Sequence, residues 1–299
     1  MIEFYQRIQS GHNPFLDALF VLLSFLGSEP VYIFMLAFIF WNLDKRFGFR
    51  LAVLFLFSMA LNSWLKDVFK FQRPIGQEGI RSIYTSSAPG YSFPSGHSQG
   101  VATFYPYLWR RYPQIAWKVF GILMILGIGF SRLYLGIHWP GDVLAGWALG
   151  LFIVWCFDLL DRRLFKLPFS LPVKLVLSIL LPLLALIVYH SKEGFQMGGF
   201  VLGFASGYFL EDHFLDYQER TSWRHSLYKT VTGLGILLLY ILLLRPLTHD
   251  WVGFYLPVYA LAGLWTAFGA PYFFRRFGWE RKETNTSNSI CKPNDKNTA

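Results

Sequence analysis

Residues Ile115–Asp142 read IAWKVFGILMILGIGFSRLYLGIHWPGD. As far as Phe130 the stretch carries one charge, Lys118, and the apolar run has the length that crosses a bilayer core, roughly 17–25 residues. Directly beyond it stand Ser131, Arg132, His138, Pro140, Gly141 and Asp142. Ionisable side chains at membrane depth are costly and are functional by default, so this stretch reads as a spanning helix that ends in a site.

Working outward, further apolar runs lie at 28–43, 48–66, 97–110, 142–160, 171–190, 196–212, 228–246 and 252–273. With 115–132 they predict an all-α, polytopic transmembrane bundle of about nine spans. The run 97–110 is short and carries polar residues, and 196–212 is rich in Gly, so these two are the weakest. Pro14 to Gly27 is apolar but too short to span. Gly27-Ser-Glu-Pro30 breaks it from the next run, which predicts an interfacial or re-entrant helix.

Composition agrees. The chain of 299 residues is 54% apolar and only 15% charged, against roughly 25% charged in a soluble domain. That leaves too little polar surface for a water-soluble body. Aromatics reach 19%, many flanking the apolar runs as interfacial side chains do. The net charge of +9 is therefore read as loop charge orienting a membrane protein, not as a nucleic-acid surface. The two cysteines, Cys156 in an apolar run and Cys291 in the polar tail, indicate no disulfide framework. The stretch Met1–Arg7 lacks the pattern of a cleaved signal peptide, and no internal repeat is visible.

With the link 43–50 placed in the cytoplasm, all but eight of the 27 basic residues fall in inner segments. Such a bias predicts the N-terminus outside and the C-terminus inside. The eight exceptions are Arg7, Lys66, Lys70, Arg73, Arg81, Arg132, Lys192 and Arg245. Four of them crowd between Lys66 and Arg81, against the orienting trend, and so require another reason to be there.

Three blocks on that outer side carry chemistry. In Lys66-Asp-Val-Phe-Lys-Phe-Gln-Arg73-Pro74, the two cations are about two helical turns apart. They are predicted on one face of a helix that ends before Pro74. The ordinary reading of such a pair is snorkelling cations at a helix end. In Tyr91-Ser-Phe-Pro94-Ser95-Gly96-His97-Ser98, Ser95 and Gly96 open a helix whose free N–H groups favour an anion. His97 stands where it can protonate a leaving group. An unremarkable Ser/Gly helix entry with an incidental His fits the local sequence equally well. In the third block, Asp142 follows His138 by one helical turn. A carboxylate there can fix the imidazole tautomer and leave the other nitrogen free to attack, or it can be a structural partner only. Three cations, an anion-binding helix entry, two histidines and one carboxylate are the parts of phosphoryl transfer, which depends on positioning and charge neutralisation. They offer no metal cage, and no cofactor is expected.

The pattern Lys, six residues, Arg-Pro; Pro-Ser-Gly-His; Ser-Arg, five residues, His, three residues, Asp resembles the signature of the type 2 phosphatidic acid phosphatase family. That family shares its site with vanadium haloperoxidases and bacterial acid phosphatases. Lys66, Arg73-Pro74, Pro94-Ser95-Gly96-His97, Ser131-Arg132, His138 and Asp142 meet every position, over roughly residues 10–160. The resemblance implies His138 as nucleophile, Asp142 as its orienting partner and His97 as general acid. It also implies Lys66, Arg73, Ser95, Gly96 and Arg132 as the phosphate-binding set. It further implies metal-independent hydrolysis of a lipid phosphate or diphosphate through a phosphohistidine, by an enzyme of the cell (inner or plasma) membrane; the basic-residue bias predicts that its site faces outward. Undecaprenyl diphosphate, phosphatidate and phosphatidylglycerophosphate are the substrates it brings forward. The expected organisation is a catalytic core at 1–165 containing the first five spans, additional transmembrane helices at 166–275 and a disordered polar tail at 276–299.

Two rivals come from other classes. A lipid phosphate transporter or scramblase would explain the later helices, but places its ionisable residues near the midplane, often in paired repeats. A haloperoxidase would share the site, but haloperoxidases are soluble. Within the phosphatase class, an enzyme acting on a soluble phosphate ester stays open. Partners other than the bilayer and the lipid substrate, and the oligomeric state, are not legible.

Overall fold

The computed structural model describes residues 1–164, 168–244, 246 and 251–280. The boundary drawn at 165 and the polar tail from 281 onward lie outside them. The chain is a multi-span membrane protein and all-helical, with 77% helix and no strands among the described residues. In chain order the helices are α1 Ile2–Gln9, α2 Pro14–Leu26, α3 Glu29–Asn42, α4 Lys45–Phe69, α5 Gly96–Leu108, α6 Ile115–Tyr134 and α7 Pro140–Leu164. There follow α8 Leu171–Val188, α9 Lys192–Phe214, α10 Trp223–Leu244, α11 Tyr255–Leu264 and α12 Ala270–Arg276. The last two are joined by a π turn, Trp265–Gly269.

Local sequence sets the helix starts. Asn13 accepts from Leu16 N (2.9 Å) ahead of Pro14, and Asp44 accepts from Phe47 N (2.9 Å). Ser191 accepts from Gly194 N (3.0 Å). Each satisfies a donor that a helix N-terminus otherwise leaves free. Among the described residues, six helical segments are long and apolar enough to cross a membrane, or seven if α2 and α3, bent by 47° at Gly27-Ser28, form one broken span. The predicted spans 97–110 and 196–212 are helices but fall outside that set, and the packing gives the reason. Helix α5 is central, enclosed by α4, α6 and α7, so it needs no lipid-facing side. Its polar residues pair inside the bundle: Gln99 Nε2 donates to Ser58 O (2.7 Å), and Asn62 Nδ2 donates to Gln99 Oε1 (2.8 Å). In α9 the glycines are an interface. A Cβ on Gly203 would lie 1.8 Å from Ala260 O, and one on Gly199 would lie 2.4 Å from Leu256 O. Small residues spaced by four let two membrane helices touch backbone to backbone, here α9 and α11.

Two of the three apolar cores among the described residues follow from this packing. One joins α3 to α7 around Tyr32, Leu54, Phe104 and Ile128. The other joins α3 and α4 to the later helices around Trp41, Phe49, Phe204 and Phe274. Phe49 stacks on Tyr208 at 3.9 Å between centroids. Beside the second core lies a buried polar seam at the end of the bundle where α4 begins. Lys45 Nζ pairs with Glu211 (3.1 Å) and Asp216 (3.2 Å). Lys229 Nζ donates to Tyr217 Oη (2.6 Å), Glu219 O (2.7 Å) and Trp41 O (2.9 Å).

Candidate active site

The opposite end of α4 opens the site. The sequence predicts a helix running to Pro74 with Lys66 and Arg73 on one face. Helix α4 instead stops at Phe69, because Lys70 turns left-handed (φ 52°) and closes its N–H onto Lys66 O (2.9 Å). Arg73 therefore stands off the helix. The two cations still meet at one acceptor: Lys66 Nζ donates to Tyr91 O (2.8 Å), and so does Arg73 Nη2 (2.9 Å). Arg73 also holds Gly90 O, Pro89 O and Ile137 O, each at 2.9 Å. It thereby ties the loop before α5 to the turn before α7. Burial lowers the Arg73 pKa to about 10, where it remains a cation at neutral pH.

His138 sits in that turn, 2% exposed. Gly136 makes the turn possible with φ +64°, and a Cβ there would lie 2.4 Å from Arg81 O. Arg73 Nη1 lies 2.9 Å from His138 Nε2, and Asp142 Oδ2 lies 3.3 Å from Nδ1. A guanidinium can only donate, so Nε2 carries the lone pair and the ring proton is on Nδ1, facing the carboxylate. Asp142 Oδ2 also accepts from Ser92 Oγ and from Trp139 N (2.8 Å). The ring is therefore set with Nε2 unprotonated and Nδ1–H toward the carboxylate. Burial, and then the charges of Arg132, Arg73 and Lys66, hold the His138 pKa well below the ordinary histidine range.

Helix α5 contributes from the other side. Ser95 caps it and accepts from Ser98 N (3.4 Å), and its own N–H donates to Asp142 O (3.0 Å). The entry turn can sit this close to α7 because Gly146 faces it: a Cβ there would lie 2.6 Å from Ser95 O. First-turn N–H groups such as those of Gly96 and His97 have no intrahelical partner. His97 Nε2 is shielded from solvent and has no hydrogen-bond partner among the described residues. The same is true of Arg132 Nε, on a side chain with no exposed surface. The rest of that guanidinium is held by Ser24 Oγ, Ser87 Oγ (3.1 Å) and Ser87 O (3.0 Å). Shielded polar groups without partners cost about 1–3 kcal/mol each, so two around one histidine call for a ligand.

Lys66, Arg73, Ser95, Gly96, His97, Arg132, His138 and Asp142 thus come from three separate stretches to one place. Sequence reasoning gave no role to Ser92, Ser24, Ser87, Tyr5 or Gln9. Ser92 lay inside a quoted block with nothing local to mark it. Tyr5 donates to His138 O (2.6 Å) from far along the chain, a contact with no local signal. Among the described residues, no three of His, Cys, Asp and Glu form a group able to hold a metal ion. The local neutralising charge is that of the three cations.

Comparison with known proteins places this geometry. Residues 47–165 match the model of the PAP2 superfamily, and residues 195–282 match the PAP2 superfamily phosphatase transmembrane extension. The chain is 31% identical over 153 residues to an undecaprenyl-diphosphatase of Sulfolobus acidocaldarius, covering 51% of this chain and 74% of that one. It is 30% identical over 190 residues to a lipid A 4'-phosphatase of Bacteroides thetaiotaomicron, covering 55% and 81%. Among solved structures it is similar to LpxE of Aquifex aeolicus, at 27% identity and TM-score 0.47 over 52% of this chain and 93% of that one.

Proposed function

This chain belongs to the PAP2 superfamily, and from that premise we propose that it hydrolyses a lipid phosphate or diphosphate in two displacements at His138. The observation that carries the reading is the surplus of positive, partly unpartnered groups around a histidine whose Nε2 is unprotonated. Lys66, Arg73 and Arg132 surround it against one carboxylate, Asp142, and Arg132 Nε and His97 Nε2 have no partner among the described residues. A phosphoryl group supplies the missing charge and acceptors.

In the first step the Nε2 lone pair forms the N–P bond while the bond from phosphorus to the lipid oxygen breaks. His97 gives its proton to that departing oxygen. Arg73 releases Nε2 and turns its donors to the phosphoryl oxygens, joined by Lys66, Arg132 and the first-turn N–H groups at Ser95-Gly96. Asp142, held by Ser92, supports the cationic ring through Nδ1–H. In the second step water attacks phosphorus, His97 takes its proton, the N–P bond breaks and phosphate leaves. No metal ion enters either step.

Undecaprenyl diphosphate, phosphatidate and phosphatidylglycerophosphate are the candidate substrates. Purified enzyme given these and soluble phosphate esters tests the class: lipid phosphates should be hydrolysed at least tenfold faster at equal concentration, in excess EDTA. Preference for a soluble ester would refute it. We place the site on the outer face, with the C-terminus in the cytoplasm, on the strength of the basic-residue bias. Gln77→Cys should react with a membrane-impermeant thiol reagent on intact cells, with any outer envelope opened. Thr284→Cys should not, both in a background lacking Cys156 and Cys291. The reverse pattern would invert the topology.

A further inference from the structure

The model of the superfamily core begins at residue 47, yet α1 reaches into the site from outside it. Tyr5 and Gln9, one turn apart, share the buried face of this short helix, while Ile2 (44%) and Phe4 (36%) remain exposed. Tyr5 has no exposed surface, donates through its hydroxyl to His138 O (2.6 Å) and meets the Trp139 ring edge-on at 5.8 Å. Gln9 Nε2 donates to Tyr134 O (2.7 Å) and to Arg81 O (2.7 Å), and its Oε1 accepts from Arg81 N (3.0 Å). The residues that Gln9 holds are also held from α2, where Asp17 accepts from the Arg81 guanidinium and from Tyr134 Oη (2.8 Å).

These bonds have a common target. They hold backbone groups on both sides of the left-handed Gly136 turn, which carries His138 between α6 and α7. The His138 ring is oriented by Arg73 and Asp142, but when Arg73 turns to the phosphoryl group one of those two bonds is given up. What then keeps Nε2 in line with phosphorus is the backbone, and the His138 carbonyl is held by Tyr5. A misplacement of about 1 Å at a reacting atom costs on the order of 10²-fold in rate.

We propose that Tyr5 is a positioning residue for the nucleophile, and that α1 is a strap, outside the superfamily core, that fixes the His138 turn during transfer. The proposal rests on His138 being the nucleophile. A strap of this kind acts on the transition state and leaves lipid binding alone, so its loss appears in kcat and not in KM.

The test is Tyr5→Phe, which removes the hydroxyl and keeps the ring. It is compared with wild type, with Arg7→Gln on the exposed side of α1, and with His138→Gln. Turnover of a lipid phosphate and inhibition by vanadate, which mimics the five-coordinate phosphorus, are measured on the monodisperse folded fraction. Tyr5→Phe should lose about tenfold in kcat and a similar factor in vanadate affinity, with KM within about twofold and Arg7→Gln unchanged. Wild-type kcat in folded Tyr5→Phe, with His138→Gln inactive, would overturn the strap and leave the nucleophile standing. So would a loss explained wholly by less folded protein, or a rise in KM alone. An active His138→Gln would overturn the nucleophile itself.

Discussion

The chain buries charge at both ends of α4, and the two clusters differ in kind. Where α4 begins, Lys45 pairs with Glu211 and Asp216, Lys229 donates to Tyr217 Oη and to two backbone carbonyls, and the shielded atoms left over are acceptors, Asn42 Oδ1 and Glu211 Oε2. Where α4 ends, three cations and one carboxylate, Asp142, gather around His138, and the atoms left over are Arg132 Nε and His97 Nε2. The first cluster balances its own charge and joins the later helices to α3 and α4. The second carries a surplus of positive charge that, on the proposed reading, an anion offsets. Burial of charge alone does not mark a site. The sign of the imbalance separates a seam from a receptor.

Removing one charge at each end breaks the comparison if both respond alike. Arg132→Gln should lower kcat by about 10²–10³-fold, the loss typical of one donor to a transition-state oxyanion, while thermal stability in detergent changes little. Glu211→Gln should do the converse. It leaves Lys45 buried with one carboxylate fewer, at a cost of about 1–3 kcal/mol of stability, while kcat per folded molecule stays at the wild-type value. A catalytic defect in folded Glu211→Gln would mean that the seam reaches the chemistry. A wild-type kcat in Arg132→Gln would remove the receptor.

The smallest effect is a titration. Burial and neighbouring cations disfavour the His138 imidazolium, so its pKa lies below the ordinary value of about 6.5. Because the pKa is depressed, the ring should be neutral and able to attack at pH 6.5, and should protonate only as the pH falls further. Imidazole NMR of the ligand-free enzyme, assigned with His138→Asn, should give a midpoint below 6.5. A midpoint at or above 6.5 would mean that the cations do not act on the ring.

Much of this was legible because it is local. Apolar runs show as composition, and Asp142 one turn after His138 is a spacing, as are Arg73 before Pro74 and Ser95-Gly96-His97 at a helix start. Three things were not legible, each for a physical reason. The end of α4 at Phe69 depends on Lys70 adopting a left-handed conformation that its residue type does not announce. The Gly run at 196–212 reads as a poor span but is a backbone contact surface, known only once α11 lies against it. The hydroxyls of Ser24, Ser87, Ser92 and Tyr5 acquire meaning only through partners distant in the chain. Charge counting met the same limit. Lys45 and Lys229 counted as inner loop charges, whereas the fold buries both in the seam.

The two-displacement mechanism at His138 makes one claim that does not depend on how long an intermediate survives. A lipid thiophosphate made chiral at phosphorus with oxygen isotopes, hydrolysed by the purified enzyme in isotopically labelled water, reports the number of in-line displacements. Transfer to His138 and then to water inverts phosphorus twice, so the released thiophosphate should show net retention. Net inversion would mean that water attacks the lipid phosphate directly, and would contradict a phosphohistidine intermediate.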